Sequence, residues 1–98
     1  MAICYILYSN KTDRFYIGIT TQSIEMRLDK HKDKSYGTHR YSAIADDWML
    51  FHSIDCENIK QAGNIERHIK RMKSSKYIRN LKLYPEISDK LLMKYKGT

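Results

Sequence analysis

The sequence predicts an α+β fold: a small three-stranded antiparallel sheet flanked by helices, in the order β-β-α-β-α-α(-α). Three observations predict it. Residues 2–9 and 14–20 are rich in β-branched and aromatic side chains and flank a polar turn, Asn-Lys-Thr-Asp, which reads as a hairpin. A third run of the same kind, Trp48–Ile54, stands alone in mid-chain. Around it, apolar residues recur at helical spacing, so helices must cover the sheet.

Each element has its own justification. Four turn residues, Asn10–Asp13, set Ser9 opposite Arg14, and opposed residue numbers then sum to 23. Leu7 faces Tyr16 and Tyr5 faces Gly18. Tyr5, Tyr16 and Gly18 therefore share one face, while Cys4, Ile6, Tyr8, Phe15, Ile17 and Ile19 make an apolar face suited to a core. Residues 23–33 carry Ile24 and Leu28 at helical spacing, with Ser23 as N-cap. Residues 34–47 are polar and read as a long loop. Trp48 is expected to anchor the core at the start of the third strand. A helix from about Asn58 to Met72 has Ile59, Ala62, Ile65, Ile69 and Met72 as its apolar stripe. Ser74 or Ser75 caps a short helix holding Tyr77, Ile78 and Leu81. Pro85 suits the first turn of a last helix reaching about Tyr95.

Ninety-eight residues make one domain with one modest core. We read the core over about 2–83 and a helical tail over 84–98, which either packs on the core or supports a homodimer. No apolar run approaches the ~20 residues of a membrane span, and the start "MAICYILYS" is too short and uncharged for a secretion signal. Cys4 and Cys56 form no Cys-x-x-Cys pair, which argues against a cysteine zinc site and for reduced thiols in a cytoplasm. Net charge is +7 and lies mostly in the second half. From Arg67 to Lys82 there are seven basic residues and no acidic one. Such a cluster is either a solvated helix face or the footprint of a phosphate-backbone partner.

Several polar residues fall where apolar ones are expected. Glycine inside a strand weakens it and often marks close approach of a backbone or ligand, so Gly18 beside two phenols offers a seat for a polar ligand; half-buried tyrosines in strands are the bland account. At about 100° per residue, Ile24, Leu28, His31 and Arg27 fall within one arc of about 100°. A guanidinium there must be paired, line a cleft or reach past the stripe to water; His31 either joins the site or bonds a nearby carbonyl. Glu66 falls inside the apolar arc of its own helix. It either pairs with Lys70 at i+4 or faces a cleft, where a carboxylate can hold one Mg²⁺-type cation.

These residues carry a resemblance. "ICYILYSNKTDRFYIGIT" resembles the paired signature of the GIY-YIG nuclease superfamily: Tyr16-Ile17-Gly18 is intact, and Ile3-Cys4-Tyr5 keeps the tyrosine eleven residues before Tyr16. "SIEMRLDKH" is similar to the family's next helix, and "AGNIERHIKRMKSSKYI" to the helix bearing its metal glutamate and the lysine-rich continuation. The likeness covers about residues 2–83 and is nearest the small stand-alone bacterial members. It implies a GIY-YIG-like fold and a metal-dependent endonuclease that hydrolyses phosphodiester bonds, in DNA repair or recombination. Tyr5 would be the base, Tyr16 would position water or phosphate, Arg27 would clamp the phosphate and His31 would relay a proton. Glu66 would hold one divalent ion, Mg²⁺ or Mn²⁺. Asn80 stands nearest to the asparagine that often follows the glutamate. Arg67, Lys70, Arg71, Lys73 and Lys76, with Lys30, Lys32 and Arg40, would grip phosphates. The expected partner is nucleic acid, chiefly DNA, with no membrane; specificity would be weak, structure-directed or supplied by a second protein. Two rival readings are a non-catalytic nucleic-acid-binding module on the same scaffold and a protein whose basic face meets an acidic partner.

Overall fold

The computed structural model describes residues 1–23, 26 and 47–97. The branched and aromatic runs form strand β1, Ala2–Ser9, and strand β2, Arg14–Thr20. Their antiparallel register is the one the turn length dictates: Ser9 opposes Arg14, Leu7 opposes Tyr16 and Tyr5 opposes Gly18. In the turn, Asp13 adopts φ 52°, a left-handed conformation that Asp tolerates, and its Oδ1 accepts from the Tyr8 hydroxyl at 2.5 Å. Asp47 holds the turn from far along the chain. Its carboxylate accepts from Ser9 Oγ at 2.5 Å and from the Lys11 backbone N–H at 3.0 Å. The Ser9 bond first, and the Lys11 bond after it, keep this carboxyl below its usual range.

Strand β3 spans Met49–Cys56 and pairs with the other side of β1, so the sheet order is β2-β1-β3. It starts one residue later than expected and runs two residues further. Between Ile6 and Leu7 the β1–β3 register shifts, because Phe51 is an extra residue in β3. Its ring packs edge-on to Phe15 at 5.1 Å. Trp48, just before β3, is fully buried as expected.

Helix α1 is Ile59–Met72, α2 is Ser75–Leu83 and α3 is Pro85–Lys94. Their starts follow from local chemistry. Asn58 Oδ1 accepts from the Gln61 N–H at 2.8 Å, and Ser74 Oγ from the Tyr77 N–H at 3.1 Å, each satisfying an orphan donor. Pro85 opens α3. Lys73 ends α1 in the left-handed region at φ 47°. Ser23 Oγ likewise accepts from the Met26 N–H at 3.3 Å, and Met26 is exposed. The rest of the helix expected over 23–33, and all but Asp47 of the loop expected over 34–47, lie outside the described residues.

The main core lies between one sheet face and the helices. Cys4, Ile6 and Ile54 meet Ala62, Ile65, Ile69, Ile78, Leu81 and Leu91 there. Burial of these side chains contributes roughly 1.5–3 kcal/mol each before entropy is counted. Two residues expected in the inward stripe, Ile59 and Met72, are exposed instead. They occupy the first and last turns of α1, beyond its buried stretch Gln61–Ile69. Conversely, the polar Gln61 is buried. Its Oε1 accepts from the Glu57 N–H at 2.6 Å and its Nε2 donates to the Leu92 carbonyl at 3.1 Å. The tail thus packs on the core, helped by His52 against Ser88 and His68 against Tyr95, each at 3.0 Å. Cys4 and Cys56 are free and buried. Among the described residues no helix is long and apolar enough to cross a membrane.

Tail docking carries a pH dependence. Burial pushes the His52 imidazole below its ordinary value, and the charge of Lys82 adds to this. His68 shifts the same way, through burial first and then Lys94 and Arg71. A lowered folded value means that folding favours the neutral rings. Their contribution is whole above about pH 6.5 and is lost as pH falls through the folded values. The melting temperature is expected to drop as pH falls below about 6.5. His52→Gln with His68→Gln should flatten that slope; an unchanged slope would assign it to other groups.

Candidate functional site

Alternation along the hairpin places Tyr5 and Tyr16 on the face opposite the main core. Their ring centroids are 6.3 Å apart, and Tyr16 lies 6.2 Å from Trp48. With Leu7 these residues form a second buried cluster. Tyr5 is completely buried, whereas Tyr16 is half-buried.

Gly18 has a different use from the one its position suggests. A Cβ there would stand 2.6 Å from the Tyr5 Oη, 2.7 Å from its Cζ and 3.0 Å from the Tyr16 Cε1. The bare backbone is therefore covered by the phenol of its own cross-strand partner. Among the described residues it is the Tyr5 phenol that makes the close approach, and the glycine leaves room for it.

Glu66 lies on the main-core side of the sheet, on α1. Helix α1 packs on the main core through Ala62, Ile65 and Ile69, and Glu66 shares that flank. Its side chain is only 19% exposed, and Oε2 pairs with Lys70 Nζ at 3.5 Å. The carboxylate lies close enough to Cys4 to act on it. Burial pushes the Cys4 thiol up, and the charges of Cys56 and Glu66 push it further. Lys70 also lines a cavity of about 260 Å³ with Phe15, Tyr16 and Ile17. At the outer strand β2, Lys70 thus joins the two sides: it pairs with Glu66 and shares a cavity with Tyr16.

The remaining expected residues divide. Lys70 and Lys73 line a larger groove, of about 720 Å³, together with Arg14 and Arg79. The last two were not singled out from sequence. Arg79 belongs to the basic run, and Arg14 follows the hairpin turn, so both signals were present. Arg67 instead bonds Asn64 Oδ1, and Arg71 donates to the Tyr95 hydroxyl at 3.5 Å. Lys76 is exposed and Asn80 half-buried on α2; neither lines these two cavities. Arg27, His31, Lys30, Lys32 and Arg40 lie outside the described residues.

A divalent ion would find one carboxylate here. Among the described residues no group of three or more His, Cys, Asp or Glu converges. A half-buried Glu66 beside a cavity suits an Mg²⁺-type ion, which keeps several waters and completes its shell with phosphate oxygens. It does not suit a closed zinc site.

A family model described as the GIY-YIG catalytic domain matches residues 1–79. No curated protein and no solved structure matches the chain.

Proposed function

The chain belongs to the GIY-YIG family, a nuclease-type family, and from that premise we propose that it is a metal-dependent endonuclease cutting phosphodiester bonds, with DNA as the substrate and with weak or structure-directed specificity. The observation that supports this reading most is that Lys70, the ion-pair partner of Glu66, lines one cavity with Tyr16 on β2. Glu66 would hold the ion, Mg²⁺ or Mn²⁺. When bound, the ion supplies positive charge for the phosphate and the departing 3′ oxygen.

The other roles belong to this chain's side chains. Arg27 clamps the scissile phosphate, and its charge offsets the charge that grows there. His31 relays a proton. The resemblance gives the base to Tyr5, but a base must reach water. Tyr5 is fully buried and Tyr16 lines the cavity. We therefore assign proton removal from the attacking water to Tyr16, and to Tyr5 the holding of the Tyr16 wall. A phenol near its ordinary pKa of ~10 is a weak base at neutral pH, so neighbouring cations such as Lys70 must favour the phenolate.

A second reading has its own support. Lys70 already pairs with Glu66, and a carboxylate neutralised in this way suits a non-catalytic nucleic-acid-binding module. Incubation of the protein with plasmid, branched and single-stranded DNA separates the two, in Mg²⁺, in Mn²⁺ and in chelator. Cutting in metal that Tyr16→Phe lowers about a hundredfold, and Tyr5→Phe much less, supports catalysis as assigned. The reverse ranking returns the base to Tyr5. Shifted but uncut DNA in metal establishes the binding module.

A further inference from the structure

The larger groove shows which form of nucleic acid this surface fits. It runs from the β1–β2 turn to the junction of α1 and α2. Its rim carries Arg14, Lys70, Lys73 and Arg79, and its floor is apolar, with the half-buried Phe15 and Ile17. The acid on the lining, Asp13, is engaged by the Tyr8 hydroxyl. Arg79 lies over the Phe15 ring, 5.2 Å from its centroid, so one rim cation is held against the floor. Lys73 is set by the left-handed turn that ends α1. The groove shares Phe15, Ile17 and Lys70 with the cavity at Tyr16, so the two are continuous.

Cations alone would serve any phosphate backbone, duplex or single. An apolar floor between them adds a second demand. A duplex keeps its base faces stacked inward and offers that floor only charged backbone. An unpaired strand can lay a base or sugar on apolar and aromatic groups while its phosphates meet a basic rim. We propose that this groove seats an unpaired nucleic-acid strand, with phosphates on Arg14, Lys73 and Arg79 and a base or sugar against Phe15 and Ile17. Its place beside the cut rests on the nuclease reading above; the binding itself does not.

Fluorescence anisotropy in chelator tests the binding without any cutting. The probes are a short labelled single strand and a hairpin duplex of the same sequence. The single strand is expected to bind at least about tenfold tighter, since one stacked base is worth roughly five- to a hundredfold. Arg14→Ala, Lys73→Ala and Arg79→Ala are each expected to weaken it. Each should also lower the slope of log affinity against log salt by about 0.7 per lost contact. Phe15→Leu should weaken single-strand binding with the salt slope unchanged, in protein shown by its melting curve to be folded. Lys90→Ala, on the exposed side of α3, is the control and should change neither quantity. Equal affinity for the duplex overturns the proposal. So do charge variants that behave like Lys90→Ala. Binding with the expected signatures but no cutting in metal retires the nuclease reading and leaves the groove assignment standing.

Discussion

Glu66→Gln is expected to lower metal-dependent cutting by at least about a thousandfold while leaving the fold in place. A bound ion contributes several kcal/mol of charge stabilisation in such reactions, and about 1.4 kcal/mol is a factor of ten. The amide keeps the shape and a hydrogen bond to Lys70 but loses the charge that would hold the ion. Stability should move little, because i,i+4 ion pairs contribute only about 0.2–0.5 kcal/mol and Lys70 is 55% exposed. Cleavage of plasmid in Mg²⁺ and a thermal melt on the same preparation give the two readings. Full activity in the folded variant would remove Glu66 from the site. Loss of both activity and fold would show a structural role instead.

Gly18→Ala is expected to act on the fold itself. The added methyl would meet the Tyr5 phenol at 2.6–2.7 Å, closer than real carbon contacts allow. Tyr5 cannot swing aside cheaply, because it is fully buried and packs on Tyr16 and Trp48 in the second cluster. Overpacking of this kind costs about 1–3 kcal/mol. For a domain of this size, the melting temperature should fall by about 4–8 °C for each kcal/mol. Tyr5→Leu removes the clashing atoms at the expense of a small cavity. In the double variant Tyr5→Leu with Gly18→Ala, the alanine should therefore cost far less than it does alone, a coupling of about 0.5–3 kcal/mol. Strictly additive losses would mean that the Tyr5 ring does not lie over Gly18.

The parts legible from sequence are those that local chemistry decides. The hairpin register follows from four turn residues, because a period of two leaves no freedom once Ser9 and Arg14 are opposed. The same argument sorted Tyr5 and Tyr16 onto one face. The starts of α1 and α2 follow from Asn58 and Ser74, whose side chains satisfy donors only a few residues away. The misreadings have the opposite character. Gln61, absent from the stripe read in the sequence, is buried because Leu92, thirty-one residues on, supplies its acceptor. Ile59 and Met72 match the stripe, yet among the described residues no partner element covers the ends of α1. Register set Tyr5 opposite Gly18, but only the packing of the ring decided that its phenol makes the close approach there. Arg14 joins the basic residues of α1 and α2 only through the way the hairpin turn sits against their junction.

By itself the sequence determined which side chains share each strand face, where the helices begin, and that paired tyrosines, a glutamate inside an apolar arc and a basic run occur in one small domain. Only the tertiary structure decided that β2 is an outer strand, where Tyr16 and the Lys70 partner of Glu66 line one cavity. The reason is physical. Turn geometry and side-chain periodicity act over a few residues, whereas strand order is chosen by contacts between distant segments, and the third strand pairs with β1 rather than β2 only when the whole core closes.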